Sequence, residues 1–319
     1  LALIPAFFDV NLQPMSSRFL YIIFISFALF SCKSKVSVDG NLKTANFISL
    51  KAHQTSYDFT QPKLFELERS LEEISGLTYD SIEKVLWTHN DEEGVIFKLN
   101  PKNGKVLDKV SFAKSGDYEG ITLYQDQIVI VNSSGNLFFY DPKTQETQKV
   151  KTDLGKRNNV EGLTYDAHQN VLLLACKGEP IDYDKDYPHK AIYSFDLSSN
   201  KLDAKPYMEI SEEALMNYLA HELEGQNMSD KQKENLEKRL KAFAPSGIEI
   251  HPESRDIYII SARGGTLVVF DTDKQIKQLI FLDKKALPQA EGISFDADHL
   301  YISSEMKGIG GRILKFKRP

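Results

Sequence analysis

One six-residue phrase recurs five times in this chain of 319 residues: Ser75-Gly76-Leu77-Thr78-Tyr79-Asp80, Glu119-Gly120-Ile121-Thr122-Leu123-Tyr124, Glu161-Gly162-Leu163-Thr164-Tyr165-Asp166, Ser246-Gly247-Ile248-Glu249-Ile250-His251 and Glu291-Gly292-Ile293-Ser294-Phe295-Asp296. Gly76, Gly120 and Gly162 stand 44 and 42 residues apart, and Gly247 and Gly292 stand 45 apart. A period of roughly 40 to 45 residues is the length of one four-stranded propeller blade. The step from Gly162 to Gly247, at 85 residues, breaks the period. It holds strands for one blade followed by a helical insertion, and so counts as one blade.

Each phrase opens an inner strand, and a more apolar second strand follows at 84–88, 127–131, 171–175, 256–261 and 299–303. The third strand and its hairpin repeat as well, as in Ile96-Phe-Lys-Leu-Asn100 and Leu137-Phe-Phe-Tyr-Asp141, each closed by an Asn or Asp able to bond the backbone two residues on. The last copy lacks a fourth strand, because its third, Arg312 to Lys317, nearly ends the chain. The β-patterned run Lys63 to Arg69 is expected to supply it, closing the ring and removing an open sheet edge. The expected fold is an all-β, five-bladed β-propeller, or a six-bladed one if the residues before Lys63 hide another sheet. Within 211–243, Leu215, Leu219 and Leu223 recur at helical spacing, Ser229 and Gln232 have capping-box spacing, and Leu236, Leu240 and Phe243 form a second stripe. A helical hairpin is expected there, ended by Pro245.

At the other end of the chain, Arg18 precedes an apolar run 12 residues long, Phe19 to Phe30, the length of a signal-peptide core and too short for a permanent span. The run ends in Leu29-Phe30-Ser31-Cys32, which resembles the lipobox of bacterial lipoproteins, so Cys32 is the expected lipidation (palmitate) site. Met15 is the expected start, which makes 1–31 an over-extended start plus signal peptide, 32–62 a tether and 63–319 the propeller. The protein is thereby expected at the cell envelope, held by lipid on the outer membrane. Its net charge of −6, with Lys and Arg scattered, offers no basic stripe for nucleic acid. The second cysteine, Cys176, lies in the apolar run Val171 to Cys176 and reads as a buried, inert thiol.

The residue before each glycine begins an inner strand and faces the channel: Ser75, Glu119, Glu161, Ser246 and Glu291. Three carboxylates around a narrow axis repel unless a cation lies between them or their pKa values rise. Ca²⁺, which takes about six to eight oxygen ligands, is one solution, with Glu119, Glu161 and Glu291 as its candidate ligands. Neutralisation by Lys177 or Arg263, with the carboxylates serving blade structure, is the other. The second-strand ends bring His89, Asn90, Asn132, Lys177, Glu179, Arg263 and Glu305 to the same level as candidate ligand-binding residues. Asp182-Tyr-Asp184-Lys-Asp186 opens like a calcium loop, but Tyr187 and Tyr193 stand where an EF-hand needs Gly and Glu.

The lipobox-like start, the recurrent [Glu/Ser]-Gly-[Leu/Ile]-[Thr/Ser]-[Tyr/Phe]-Asp phrase and the strand end Ser303-Ser304-Glu305 together resemble the SdiA-regulated (YjiK-like) family of bacterial β-propellers over about Leu64 to Phe316. The resemblance implies a five-bladed, exported and often membrane-attached propeller. Ser246 to His251 departs from the phrase by lacking the aromatic-Asp ending, and the helical hairpin is an addition. The expected function is a binding or interaction module at the envelope, with a protein or small ligand as partner. Gluconolactonase, paraoxonase-like and phytase-like propellers supply the alternative by analogy, a Ca²⁺-dependent hydrolase of an ester, lactone or phosphoester.

Overall fold

The computed structural model describes residues 46–50, 56–308 and 310–319. Its strands form five antiparallel sheets in a ring, the blades of a five-bladed β-propeller, each running from an inner strand outwards. The inner strands are Ile74–Asp80, Tyr118–Tyr124, Val160–Asp166, Gly247–Ile250 and Gln289–Phe295, taken here as blades 1 to 5.

The five phrase glycines are explained by space around the axis. A Cβ at Gly76 would lie 2.8 Å from the Ile121 nitrogen, at Gly120 2.7 Å from that of Leu163, at Gly162 3.0 Å from that of Ile248, at Gly247 2.4 Å from the Glu291 oxygen, and at Gly292 2.7 Å from the Leu77 nitrogen. Each glycine therefore packs on the backbone of the next blade, and the fifth returns to the first. No side chain fits where inner strands approach this closely.

The ring closes as the unpaired last blade requires. Asp58–Glu66 pairs with Arg312–Lys317 and supplies the outer strand of blade 5. That strand begins before Lys63, and a register shift between Asp58 and Lys63 takes up Pro62, which has no N–H to give to a ladder. The stretch read as a tether thus ends earlier than residue 62. Part of it also adds a strand to blade 4, where Ile48–Ser49 pairs with Phe281 and Ile280. Two residues are too few to leave a periodic signal. The rest of the expected tether, the apolar run and Cys32 lie outside the described residues.

Between blades 3 and 4 stand two helices, α1 (Glu212–Leu223) and α2 (Asp230–Lys241). The Ser211 side chain caps α1, and Ser229 with Gln232 forms the expected capping box on α2. Leu215, Leu219, Leu223, Leu236, Leu240 and Phe243 are all buried, in one apolar cluster with Ile192 and Ile210 of blade 3 and Ile248 and Phe281 of blade 4. Arg239 fixes α2 to blade 4, donating to the carbonyls of Gly264 (2.9 Å), Leu282 (2.7 Å) and Gly265, with its guanidinium over the Phe281 ring. Among the described residues no helix is long and apolar enough to cross a membrane. Cys176 is fully buried, and burial pushes its thiol up to about 12, beyond use as a nucleophile at neutral pH.

Candidate functional site

Four of the inner strands carry a bulge where they enter the channel, with register shifts between Ile74 and Leu77, Tyr118 and Gly120, Val160 and Gly162, and Ala290 and Ile293. A bulge re-aims one side chain, and here it is the residue before the glycine. The residue type then decides the role. Ser75 Oγ donates to the Glu119 carbonyl (2.8 Å) and Ser246 Oγ to the Ala290 carbonyl (2.6 Å), each stitching its blade to the next. Glu119, Glu161 and Glu291 instead line the channel.

The channel itself has room for little. Between the glycines and these carboxyls the free volume is about 10 Å³, space for roughly one water. Burial raises the pKa of all three carboxyls. Glu161 raises Glu119 and Glu291 further, while Lys177 opposes the shift at each. The Lys177 ammonium lies 2.9 Å from Glu161 Oε1, which also accepts from Asn159 Nδ2 at 2.6 Å. Burial alone would lower the Lys177 ammonium, but Glu161, then Glu291 and Glu119, raise it above its ordinary value. One cation therefore serves three acids, and burial favours the neutral form of the carboxyls it does not pair.

The other expected mouth residues divide. Glu305 belongs to the acidic rim: burial, then Asp91, pushes its carboxyl up to about 7, and it accepts from Gln289 Nε2 at 2.7 Å. His89 does not reach the mouth surface. It is fully buried against Gly76, its Nδ1 2.9 Å from the Asn90 carbonyl, and burial pulls its imidazole down to about 4. Asn90 and Asn132 are occupied in turns, where their side-chain oxygens accept from the Glu93 nitrogen (2.8 Å) and the Asn136 nitrogen (2.9 Å). Arg263 is exposed on the blade 4 loop. Glu179 pairs with Arg157 at 3.6 Å.

Sequence reading missed Asp91, whose carboxyl burial and then Glu73 push up to about 6 and whose Oδ1 has no hydrogen-bond partner among the described residues. It missed Lys190 too, which donates to the Lys177 carbonyl at 2.6 Å and is lowered by burial and by Arg263. Neither lies in the repeated phrase, so no periodicity marked it. Beside the mouth, the loop 178–190 and the hairpin enclose a pocket of about 250 Å³ lined by Tyr183, His189, Lys190, Glu212, Lys241 and Phe243 among others. The loop's start is anchored, since Arg157 donates to the Ile181 carbonyl (3.0 Å) and the Ile181 nitrogen to the Tyr193 hydroxyl (2.7 Å).

Ca²⁺ fits this mouth poorly as arranged. Among the described residues no three His, Cys, Asp or Glu side chains converge as a metal site, and the ammonium of Lys177 already sits on Glu161. What the arrangement offers is a rim of carboxyls whose pKa values burial raises, one shared cation, and a side pocket of mixed polarity.

Ring, closing strand and acidic mouth define an acid-mouthed five-bladed propeller. The chain belongs to the SdiA-regulated family, which matches residues 49–307. No curated protein gives a significant match. Solved structures with a similar fold include a gluconolactonase from Xanthomonas campestris (12% identity, TM-score 0.50, covering 85% of this chain and 94% of that one). A luciferin-regenerating enzyme matches at 11% identity and TM-score 0.46, covering 80% and 95% of the two chains. A nidogen/laminin complex matches at 15% and 0.45, covering 72% of each. At such identities the likeness concerns the fold alone.

Proposed function

We propose that this protein is a binding propeller of the cell envelope, held on the outer membrane by lipid on Cys32, that takes its ligand on the mouth face between the helical hairpin and the loop 178–190. The observation that carries the reading is the 250 Å³ pocket where these two additions to the repeating frame meet, next to a channel too narrow to admit a substrate. Lys190 lines the pocket within electrostatic reach of Arg263. Lys190 and Lys241 are the lining cations, beside the carboxylates of Glu179 and Glu212, and would hold a ligand carrying an anionic group, with Tyr183 and Phe243 as apolar walls. The test is a thermal-shift series with small carboxylates and phosphate esters on wild type and Lys190→Ala. A rise in melting temperature that the variant loses supports the reading, and no rise for any anion counts against it.

The alternative is a Ca²⁺-dependent hydrolase of an ester, lactone or phosphoester, favoured by the excess of carboxyls over cations at the mouth. It requires Lys177 to leave Glu161. Melting in Ca²⁺ and then in chelator separates the two readings. Saturation at about a hundred times Kd contributes roughly 2.7 kcal/mol, on the order of 5 °C here. A shift of that size, with hydrolysis abolished in Glu161→Gln, would replace the binding module by the enzyme.

A further inference from the structure

The channel has a second end. The fourth residue of each phrase lies near the exit of the inner strand, and these residues are Thr78, Thr122, Thr164, Glu249 and Ser294. Four are hydroxyls and one is a carboxyl, in the phrase that departs from the others. Thr78, Thr122, Glu249 and Ser294 line an open pocket of about 410 Å³, walled in part by Tyr79 and Tyr165.

Two features show that this pocket is furnished for a ligand. Thr78, Thr122 and Ser294 are only 5%, 4% and 2% exposed, and what they expose lines this pocket, where no protein group among the described residues bonds their hydroxyls. Glu249 spends only one oxygen, since Oε1 accepts from the Thr164 hydroxyl and the Ile250 nitrogen (2.9 Å) while Oε2 has no protein partner among them. These hydroxyls open onto the cavity, where each is free to bond a group that enters it.

Charge indicates the partner's class. The charged residues lining the pocket are Glu249, Glu253 and Asp296, and no Lys, Arg or His lines it. Neighbouring charges are already engaged: Asp166 with Arg255, Glu253 with Arg318, and Asp296 with His299, the Tyr301 hydroxyl and Lys315. Tyr258 stands opposite Glu249 in the sheet. Nothing cationic faces Glu249, and burial pushes its carboxyl up to about 7 against the opposing hydrogen bonds from Thr164 and Ile250.

We infer that this second pocket binds a small organic cation bearing a primary ammonium, with Glu249 as its counter-ion, Thr78, Thr122 and Ser294 accepting its N–H groups, and the tyrosines flanking its chain. An ammonium suits the site because it has three donors and the one charge the pocket lacks. The site is independent of the mouth and goes beyond the function proposed for it.

The experiment is isothermal titration of the full-length protein with n-butylammonium, with 1,4-diaminobutane and with glucose, at about pH 8 and pH 6 and in buffers of different ionisation enthalpy. Amines should bind about tenfold more weakly at the lower pH, because the ligand must displace the proton on Glu249, and proton release should appear there. Glu249→Gln should abolish both the pH dependence and the proton release. If that variant fails to fold, Thr122→Val should still weaken amine binding several-fold. Equal binding of glucose, amine binding indifferent to pH and to Glu249→Gln, or no binding of either amine at millimolar concentration would each overturn the inference.

Discussion

Inner strands enter the channel with Ser75, Glu119, Glu161, Ser246 and Glu291 and leave it with Thr78, Thr122, Thr164, Glu249 and Ser294. At the entrance, three carboxyls share the ammonium of Lys177 in almost no free space. At the exit, one carboxyl with no cation faces a pocket of about 410 Å³. The same backbone repeat thus makes one end self-satisfied and leaves the other asking for a partner. An acidic ring on a propeller axis is not by itself a ligand site; what matters is whether the chain supplies the opposite charge.

Removing that charge is the sharpest way to break the comparison. Lys177→Met should destabilise the fold by about 3 kcal/mol at pH 8, since loss of one partner from a buried pair strands the other. The loss should shrink at lower pH, where Glu161 takes up a proton instead. Denaturant unfolding at two pH values measures both, and an equal loss at both would show that Lys177 acts by packing alone. A smaller effect is expected from the belt that separates the two ends. Gly120→Ala would place a methyl against the Leu163 backbone and should cost about 2 kcal/mol, as overpacking does. A neutral Gly120→Ala would mean that the blades can move apart.

The exit should answer with the opposite sign. Glu249→Gln keeps an acceptor for Thr164 but no longer has to ionise in a buried site. Without ligand it should therefore stabilise the protein at pH 8 by about 1 kcal/mol, and change little at pH 5. Chemical denaturation of the two proteins side by side is the measurement, and a destabilised variant at pH 8 would show that the Glu249 charge is already compensated.

Blade count, strand order and the closing strand were all legible, because they rest on a period and on one unpaired run, from Lys63. Helix positions were legible as well, since Leu215, Leu219 and Leu223 write the helical period directly. The sites were legible only in part. Repetition located Glu119, Glu161 and Glu291, and strand-end position offered Lys177 and Arg263 as alternative neutralising cations without choosing between them. His89 and the asparagines could not be assigned, because spacing places a residue at a strand end without saying whether it turns into the core or into a loop. The phrase from Ser246 to His251 stood out for its missing aromatic-Asp ending rather than for Glu249, and the pocket around Glu249 depends on how far apart the strand ends lie, which no single phrase records.

The smallest effect tests both ends at once. Glu305 at the entrance and Glu249 at the exit have carboxyls pushed up to about 7, and Asp91 to about 6. Such acids bind protons more tightly in the folded chain than in the unfolded one, so stability is lost as pH rises from the ordinary carboxylate range through about 7. His89 works the other way: its imidazole, held down to about 4, makes the folded chain harder to protonate and costs stability below about pH 6.5. Between about pH 6.5 and 8.5 the acids act alone, and the melting temperature should fall by a few degrees across that interval. Glu305→Gln should remove the entrance's share of the slope and Glu249→Gln the exit's. If the two variants leave the slope untouched, the ionising groups are the coupled carboxyls of Glu119, Glu161 and Glu291, and the entrance would then be the end that a bound cation stabilises.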